Sequence, residues 1–327
     1  MKTPDILIIG AGISGLLCAT ELKRAGRTVR VLDKGRGFGG RMATRRMGGG
    51  RLDHGAQFFT VRDPRFRAYV DEWLAAGVVR EWFGGSEDPV NHHPRYCGRT
   101  GMTDAPKHLA ADLDVVRSAR ATELCREQGT WVVQTDSAGV FRAKHLVVTA
   151  PLPQALQLLD TTGLNYAGDD LPALRAVRYE KGLATLCILD GPSGLPEPGG
   201  INPEDHPPLV WIADNRMKGI SPDVTAVTLH ADPEFSARHW DEPDDRRGPL
   251  MIEAARSLLR SRVVDYSCHR WGFTRPLNPW PEACYQNAGL KLTLAGDSFG
   301  GPKVEGAALS GIEAAHAIRC ACSGVVE

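Results

Sequence analysis

The sequence predicts an α/β protein, with a buried parallel sheet and a second, mostly antiparallel-sheet region beside it. Three stretches carry this reading. Ile6-Leu7-Ile8-Ile9 runs straight into Gly10-Ala11-Gly12-Ile13-Ser14-Gly15, as a buried parallel strand feeding a tight turn does. Val29-Arg30-Val31-Leu32-Asp33 reads as the neighbouring strand. Between residues 160 and 285, where most prolines fall, Leu183–Leu189, Leu209–Ala213 and Val224–Ala231 alternate as antiparallel strands do.

The first glycine motif has a physical division of labour. Gly10 allows the sharp turn, Gly12 lets the backbone approach a pyrophosphate, and Gly15 lets helix and strand pack closely. Leu16 to Ala25 reads as a helix with Gly26 just past its end; its N-terminus turns free N–H groups and a partial positive charge toward the phosphates, and Ile13 and Ser14, in the turn before it, are candidate cofactor contacts. Asp33, about 20 residues after the first glycine, is placed to accept from ribose hydroxyls and repels a 2′-phosphate. A lone glycine turn is weak evidence, but the strand, helix and acid together predict a Rossmann-type dinucleotide site. Lys34-Gly35-Arg36-Gly37-Phe38-Gly39-Gly40-Arg41 continues the cradle, so Lys34, Gly39, Gly40 and Arg41 are candidate cofactor contacts. Arg45, Arg46 and Arg51 are balanced between that role and a solvated loop.

The run Asp33 to Arg41 resembles the second FAD element of the flavin amine oxidase superfamily. Asp53-His54-Gly55-Ala56-Gln57-Phe58-Phe59-Thr60 resembles its third element in the renalase-like form. The resemblance implies that the Gly55-Ala56-Gln57 backbone passes close to the isoalloxazine ring; the plain alternative is a strand entering a turn.

Further along, Phe66, Val70, Trp73 and Leu74 share one helical face and read as core. Gly84 to Pro94 is turn-rich, and His92-His93 lacks a third ligand at useful spacing, so no metal site is expected. Gly101-Met102-Thr103 resembles the Gly-Met-Ser step of these flavoproteins and starts a helix with Thr103 or Asp104 as cap; Val116 is placed on a short strand against the adenine. Ala121 to Cys125, Trp131 to Thr135 and Phe141 to Ala143 form a predicted antiparallel meander, and His145 to Ala150 returns to the parallel sheet. A helix is expected near Gly248 to Ser261. Trp211-Ile212-Ala213-Asp214-Asn215, Leu229-His230-Ala231 and His269-Arg270-Trp271 resemble renalase motifs, making His230 and Trp271 candidate catalytic residues, with core packing as the alternative.

The C-terminal stretch decides the cofactor. Leu292 to Asp297 is a strand ending in Gly296-Asp297, and Val304-Glu305-Gly306-Ala307 opens a small-residue helix. An acid there can bond a ribityl hydroxyl, and the helix dipole can stabilise the anion of reduced flavin. This second half points to FAD, since an NAD dehydrogenase does not need it. Cys284-Tyr285 lacks the motif of covalent attachment, so non-covalent FAD is expected. The expected layout is a FAD-binding domain from residues 1–62, 99–160 and 287–327, and a substrate domain from 63–98 and 161–286.

Charge cancels at 39 basic and 39 acidic residues, which gives no global field for nucleic acid or membrane. Eight cysteines without a C-x-x-C pair fit a reducing, cytoplasmic compartment. The uncharged run Ile6 to Thr20 imitates a signal peptide, but the glycine spacing explains it better. Oligomeric state is left open.

With no second nicotinamide-binding glycine motif, O2 is the expected acceptor for an FAD-dependent oxidase of a small molecule. Amine oxidases usually carry an aromatic residue just before the Val-Glu-Gly step; here it is Lys303, a third candidate catalytic residue, which repels an ammonium and attracts phosphate or carboxylate if it does not turn to solvent. The renalase-like resemblance implies oxidation of 2- and 6-dihydro isomers of NAD(P). The alternatives are an amine oxidase, a desaturase-type flavoenzyme, or a non-catalytic FAD-binding sensor. Lys181 matches the flavin-facing lysine of amine oxidases by position only and is expected at the surface.

Overall fold

The protein is described here by a computed structural model, over residues 4–84 and 93–323. Its central sheet has six strands in the order Tyr285–Asn287, Leu292–Leu294, His145–Val148, Ile6–Ile9, Val29–Leu32, Asp114–Val116, all parallel except the first. The unbroken apolar run Ile6–Ile9 is explained by burial on both faces. Ile6 and Ile8 enter one core with Leu16 and Leu17, while Leu7 and Ile9 enter another with Trp131 and Leu156. Successive strand residues point to opposite faces, so a half-polar strand could not serve here. Each fully buried Leu or Ile contributes about 1.5–3 kcal/mol.

The first helix spans Ile13–Arg24 and stops at Gly26, whose φ of 77° is the left-handed turn a glycine permits without strain. The 21-residue helix Lys303–Ser323 packs beside it, so both helix N-termini reach the same end of the sheet. Helix Pro64–Ala75, capped by Asp63 accepting from Arg65 N–H at 2.8 Å, buries Phe66, Val70 and Trp73 in the core that holds Leu16 and Leu17. The meander forms as expected, as strands Ala121–Glu127, Thr130–Thr135 and Val140–Ala143.

The second large sheet has five antiparallel strands in the order Gly200–Ile201, Leu209–Asp214, Ala226–Ala231, Gly182–Leu189, Val263–Trp271. Two local expectations are corrected. The helix placed near Gly248 to Ser261 is two, Asp244–Ala254 and Arg256–Leu259; the first starts earlier because Asp244 and Asp245 suit the positive end of its dipole. Thr103 holds the N-cap position of helix Asp104–Ala110 as expected, but neither its side chain nor that of Asp104 makes a capping bond. Thr103 Oγ1 bonds Thr44 Oγ1 at 3.1 Å and the Asp104 carboxylate accepts from Thr100 N–H at 2.5 Å, so other partners compete successfully for both. No helix among the described residues is long and apolar enough to cross a membrane.

Candidate active site

A cleft of about 1860 Å³ runs between the two large sheets, well above the roughly 300–1,000 Å³ of an ordinary small-ligand pocket. Gly10, Gly12, Ile13 and Ser14 line it, with Gly39 and Gly40 directly beside them: Gly39 N–H donates to the Ala11 carbonyl at 3.0 Å. Gly10 has φ 115°, and a Cβ on it would meet Thr149 Oγ1 at 2.5 Å; a Cβ on Gly12 would meet nothing within 4 Å, so that backbone faces open space. Ser14 Oγ is buried with no hydrogen-bond partner at the helix start. An orphan donor beside free helix N–H groups is what a bound phosphate satisfies.

Asp33 also lines the cleft, its two oxygens accepting from Ala11 N–H and Gly35 N–H, each at 2.6 Å. Lys34 stands nearby, 3.3 Å from Gln154 Oε1, and burial lowers its ammonium pKa below the usual range. Gly15 and Gly306 are not on the cleft wall. A Cβ on Gly15 would lie 2.0 Å from Gly10 O, and one on Gly306 2.3 Å from Gly301 O, so both glycines serve close packing. Val116 is off the wall too; its carbonyl accepts from Asp33 N–H at 2.9 Å within the sheet, and Ala119 to Thr122 line the cleft in its place.

Arg41 and Asp297 line the cleft as a bidentate pair at 2.5 and 2.7 Å, with Tyr179 Oη donating to Asp297 at 3.0 Å. Burial and the adjacent carboxylate push the Tyr179 hydroxyl up to about 12, so it stays a donor. Sequence reasoning named both charged residues but not that they meet.

The Asp53–Gln57 turn is fixed by a residue that sequence reasoning missed. Lys218 Nζ lies 2.7 Å from Asp53 Oδ2 and donates to the Gln57 carbonyl at 2.5 Å; both side chains of the pair are 0% exposed. Asp53 Oδ1 accepts from Thr44 Oγ1 at 2.6 Å and Met102 N–H at 2.8 Å, and its carbonyl from Gln57 Nε2 at 2.6 Å and Thr228 Oγ1 at 2.9 Å. Met217-Lys218-Gly219 carries no motif, so nothing in the sequence marks it.

Sheet register builds the facing wall. Trp211 pairs with His230, His230 with Ala184, and Ala184 with His269, giving one row across four strands. Directly paired residues share a face, and all four line the cleft with Trp271. The Trp271 ring stacks on His54 at 5.2 Å and its Nε1 donates to the His54 carbonyl at 2.7 Å; His269 meets His54 edge-on at 4.7 Å. The imidazoles are kept neutral: burial, then Lys218, lowers His230 to about 4, and burial, then His269, lowers His54 to about 3. Gln57 Nε2 and His230 Nε2 lie 3.5 Å apart.

At the remaining edge, Lys303, Val304, Glu305 and Ala307 line the cleft where the last helix begins. Lys303 is exposed and holds φ 82°, a strained value for a side chain with a Cβ. Glu305 Oε1 accepts from Arg62 N–H at 2.6 Å and Asp63 N–H at 2.8 Å, a structural clasp. Arg46 and Arg51 line the cleft and Arg45 does not. Lys181 also lines it, exposed, with its ammonium 4.8 Å from the Trp240 ring centre. No three candidate metal ligands cluster among the described residues; His92 lies outside them.

Two glycine cradles, two helix N-termini and an orphan hydroxyl along one long cleft suit a dinucleotide. A family model for an NAD(P)-binding Rossmann-like domain matches residues 8–73, and the model for flavin containing amine oxidoreductases matches residues 73–319. The chain belongs to the flavin containing amine oxidoreductase family. It is an FAD-dependent oxidoreductase. Renalase of Mus musculus is 23% identical over 294 residues, covering 83% of this chain and 84% of its own. Putrescine oxidase of Kocuria rosea is 38% identical over 134 residues, 36% of this chain and 27% of its own. Reduced UDP-galactopyranose mutase shares the fold at TM-score 0.73 and 13% identity, over 99% of this chain and 97% of that one. Putrescine oxidase bound to putrescine does so at 0.67 and 13%, over 98% and 99%.

Proposed function

We propose that this family member oxidises dihydronicotinamide dinucleotides, the 2- and 6-dihydro isomers of NAD(P), as the renalase-like resemblance implies. The observation that carries the reading is Lys303, a cation at the cleft edge where amine oxidases usually place an aromatic residue. Among the described residues no carboxylate forms an ion pair with it, so its charge is available to an anionic substrate. When bound, FAD, held without a covalent link, would accept a hydride at N5 and pass two electrons to O2.

The chain's own residues do the rest. Gly10, Gly12, Ile13, Ser14, Gly39, Gly40 and Arg41 hold the pyrophosphate, Asp33 and Lys34 the ribose end, and Asp297 a ribityl hydroxyl. Gly55, Ala56 and Gln57, locked by Lys218, face the ring; Val304, Glu305 and Ala307 place the last helix at its far edge. Trp271 and neutral His230 wall the substrate side: a neutral imidazole adds no positive charge against the nicotinamide cation that hydride loss leaves and can exchange a hydrogen bond with its amide. Residues 1–62, 99–160 and 287–327 form the cofactor domain; 63–98 and 161–286 form the substrate domain.

Anaerobic stopped-flow mixing of the yellow protein decides. Rapid bleaching by 2- or 6-dihydro-NAD is expected; bleaching by a diamine but not by these donors would replace the reading with amine oxidation.

A further inference from the structure

Arg95 stands on the cleft wall, outside every role assigned above. Its strand is tied to the flavin-facing octet: Phe59 N–H donates to Tyr96 O at 2.9 Å and Tyr96 N–H to Phe59 O at 2.8 Å. The guanidinium carbon lies 5.3 Å from the Phe58 ring centre and 4.9 Å from that of Phe83. Two aromatic faces therefore hold a half-buried cation in place. Ring faces do not use its in-plane N–H donors. Among the described residues none of these donors has an acceptor and no carboxylate pairs with the charge; Nε is buried without a partner.

A second orphan donor sits close by. Trp211 Nε1 is buried and unpartnered, and the Trp211 ring lies 5.4 Å from that of Phe58. A half-buried guanidinium without an acceptor carries a desolvation cost that a bound oxyanion would offset, and its fork suits two phosphate oxygens at once.

We propose that Arg95, held by Phe58 and Phe83 beside Trp211, is an anion subsite that binds the pyrophosphate of the substrate dinucleotide. The cofactor's own pyrophosphate has the Gly10–Ser14 turn and Arg41, so Arg95 meets a second one. The assignment rests on the dinucleotide reading given under Proposed function. Arg95 then acts on specificity, because it secures the end of the substrate away from the reacting ring.

The test uses the holoprotein, Arg95→Gln and Arg95→Lys. In anaerobic reduction by 6-dihydro-NAD, Arg95→Gln is expected to raise the half-saturating concentration about 10- to 100-fold, the loss of charged hydrogen bonds, with the limiting rate within about twofold. Dihydronicotinamide riboside, which has no phosphate, should be unaffected. Arg95→Lys keeps the charge without the fork, should fall between, and carries the test if Arg95→Gln does not fold. Equal effects on both donors, or none on either, overturn the subsite.

A titration with inorganic pyrophosphate, read by the oxidised flavin spectrum and by calorimetry, separates the two proposals. If no dihydropyridine bleaches the flavin, the substrate reading falls. Pyrophosphate that binds wild type and is lost in Arg95→Gln still supports the subsite; binding that is absent from wild type, or equal in both, overturns it.

Discussion

Among the ion pairs that join distant segments of the described chain, Asp53–Lys218 and Arg41–Asp297 are built for opposite purposes. Asp53–Lys218 is sealed, with both side chains 0% exposed and each charged group bonded to further protein atoms. Arg41–Asp297 lies on the cleft wall, its side chains 30% and 6% exposed. Charges with no access to water must keep their partners, because the alternative is an uncompensated charge in the interior. Charges on a cleft wall can exchange partners with a ligand, and a fork that holds a carboxylate also holds a phosphate. The first pair therefore fixes the Asp53–Gln57 turn, and the second is exposed to whatever fills the cleft.

The contrast can be broken most directly at Lys218. Lys218→Met should cost about 3–5 kcal/mol in urea unfolding, because the Asp53 carboxylate is left buried without a counter-charge. Lys218→Met combined with Asp53→Asn should recover part of this; a single variant as stable as wild type would refute the sealed-pair account. The glycines repeat the comparison one step down. Gly15→Ala, with its Cβ 2.0 Å from Gly10 O, should destabilise the apo protein by about 1–3 kcal/mol. Gly12→Ala, with nothing within 4 Å, should unfold within about 0.5 kcal/mol of wild type and lose FAD, as a colourless but folded protein shows. Arg41→Lys keeps the charge and loses the fork, so FAD should bind about tenfold more weakly in a fluorescence titration while apo stability stays the same.

The remaining effect is pH dependence. His54 and His230 are lowered to about 3 and 4 from an ordinary 6.5, so below pH 6.5 the unfolded chain binds protons that the folded chain refuses. Their contribution to stability is fully present above about pH 6.5 and is lost as pH falls toward 4. The slope is roughly 1.4 kcal/mol per pH unit for each proton. His230→Gln should flatten it by about one proton in urea titrations at pH 5 and 6; an unchanged slope would mean that His230 is not held neutral.

Much of the cofactor half was legible because its requirements are local. Gly10 must have positive φ, Gly12 must lack a side chain facing the cleft, and Ile6–Ile9 must be apolar on both faces; contiguous residues state all of these. Val116 lies on the short strand expected of it, but a strand can be read from its β-branched residues while which of its neighbours lines a cleft cannot. Lys218 was invisible because a buried lysine looks like a surface one until its partner is known. The wall of Trp211, His230 and His269 was readable as three separate motifs, while their alignment through Ala184 depends on the register of four strands.

The sequence alone determined the α/β class, the two glycine cradles and the FAD chemistry, because each rests on backbone freedom and apolar period within short segments. Only the tertiary structure decided which charges meet. Asp53 and Lys218 lie 165 positions apart, and Arg41 and Asp297 256 apart. Such pairings arise from how whole sheets and helices pack, which no short stretch of chain encodes.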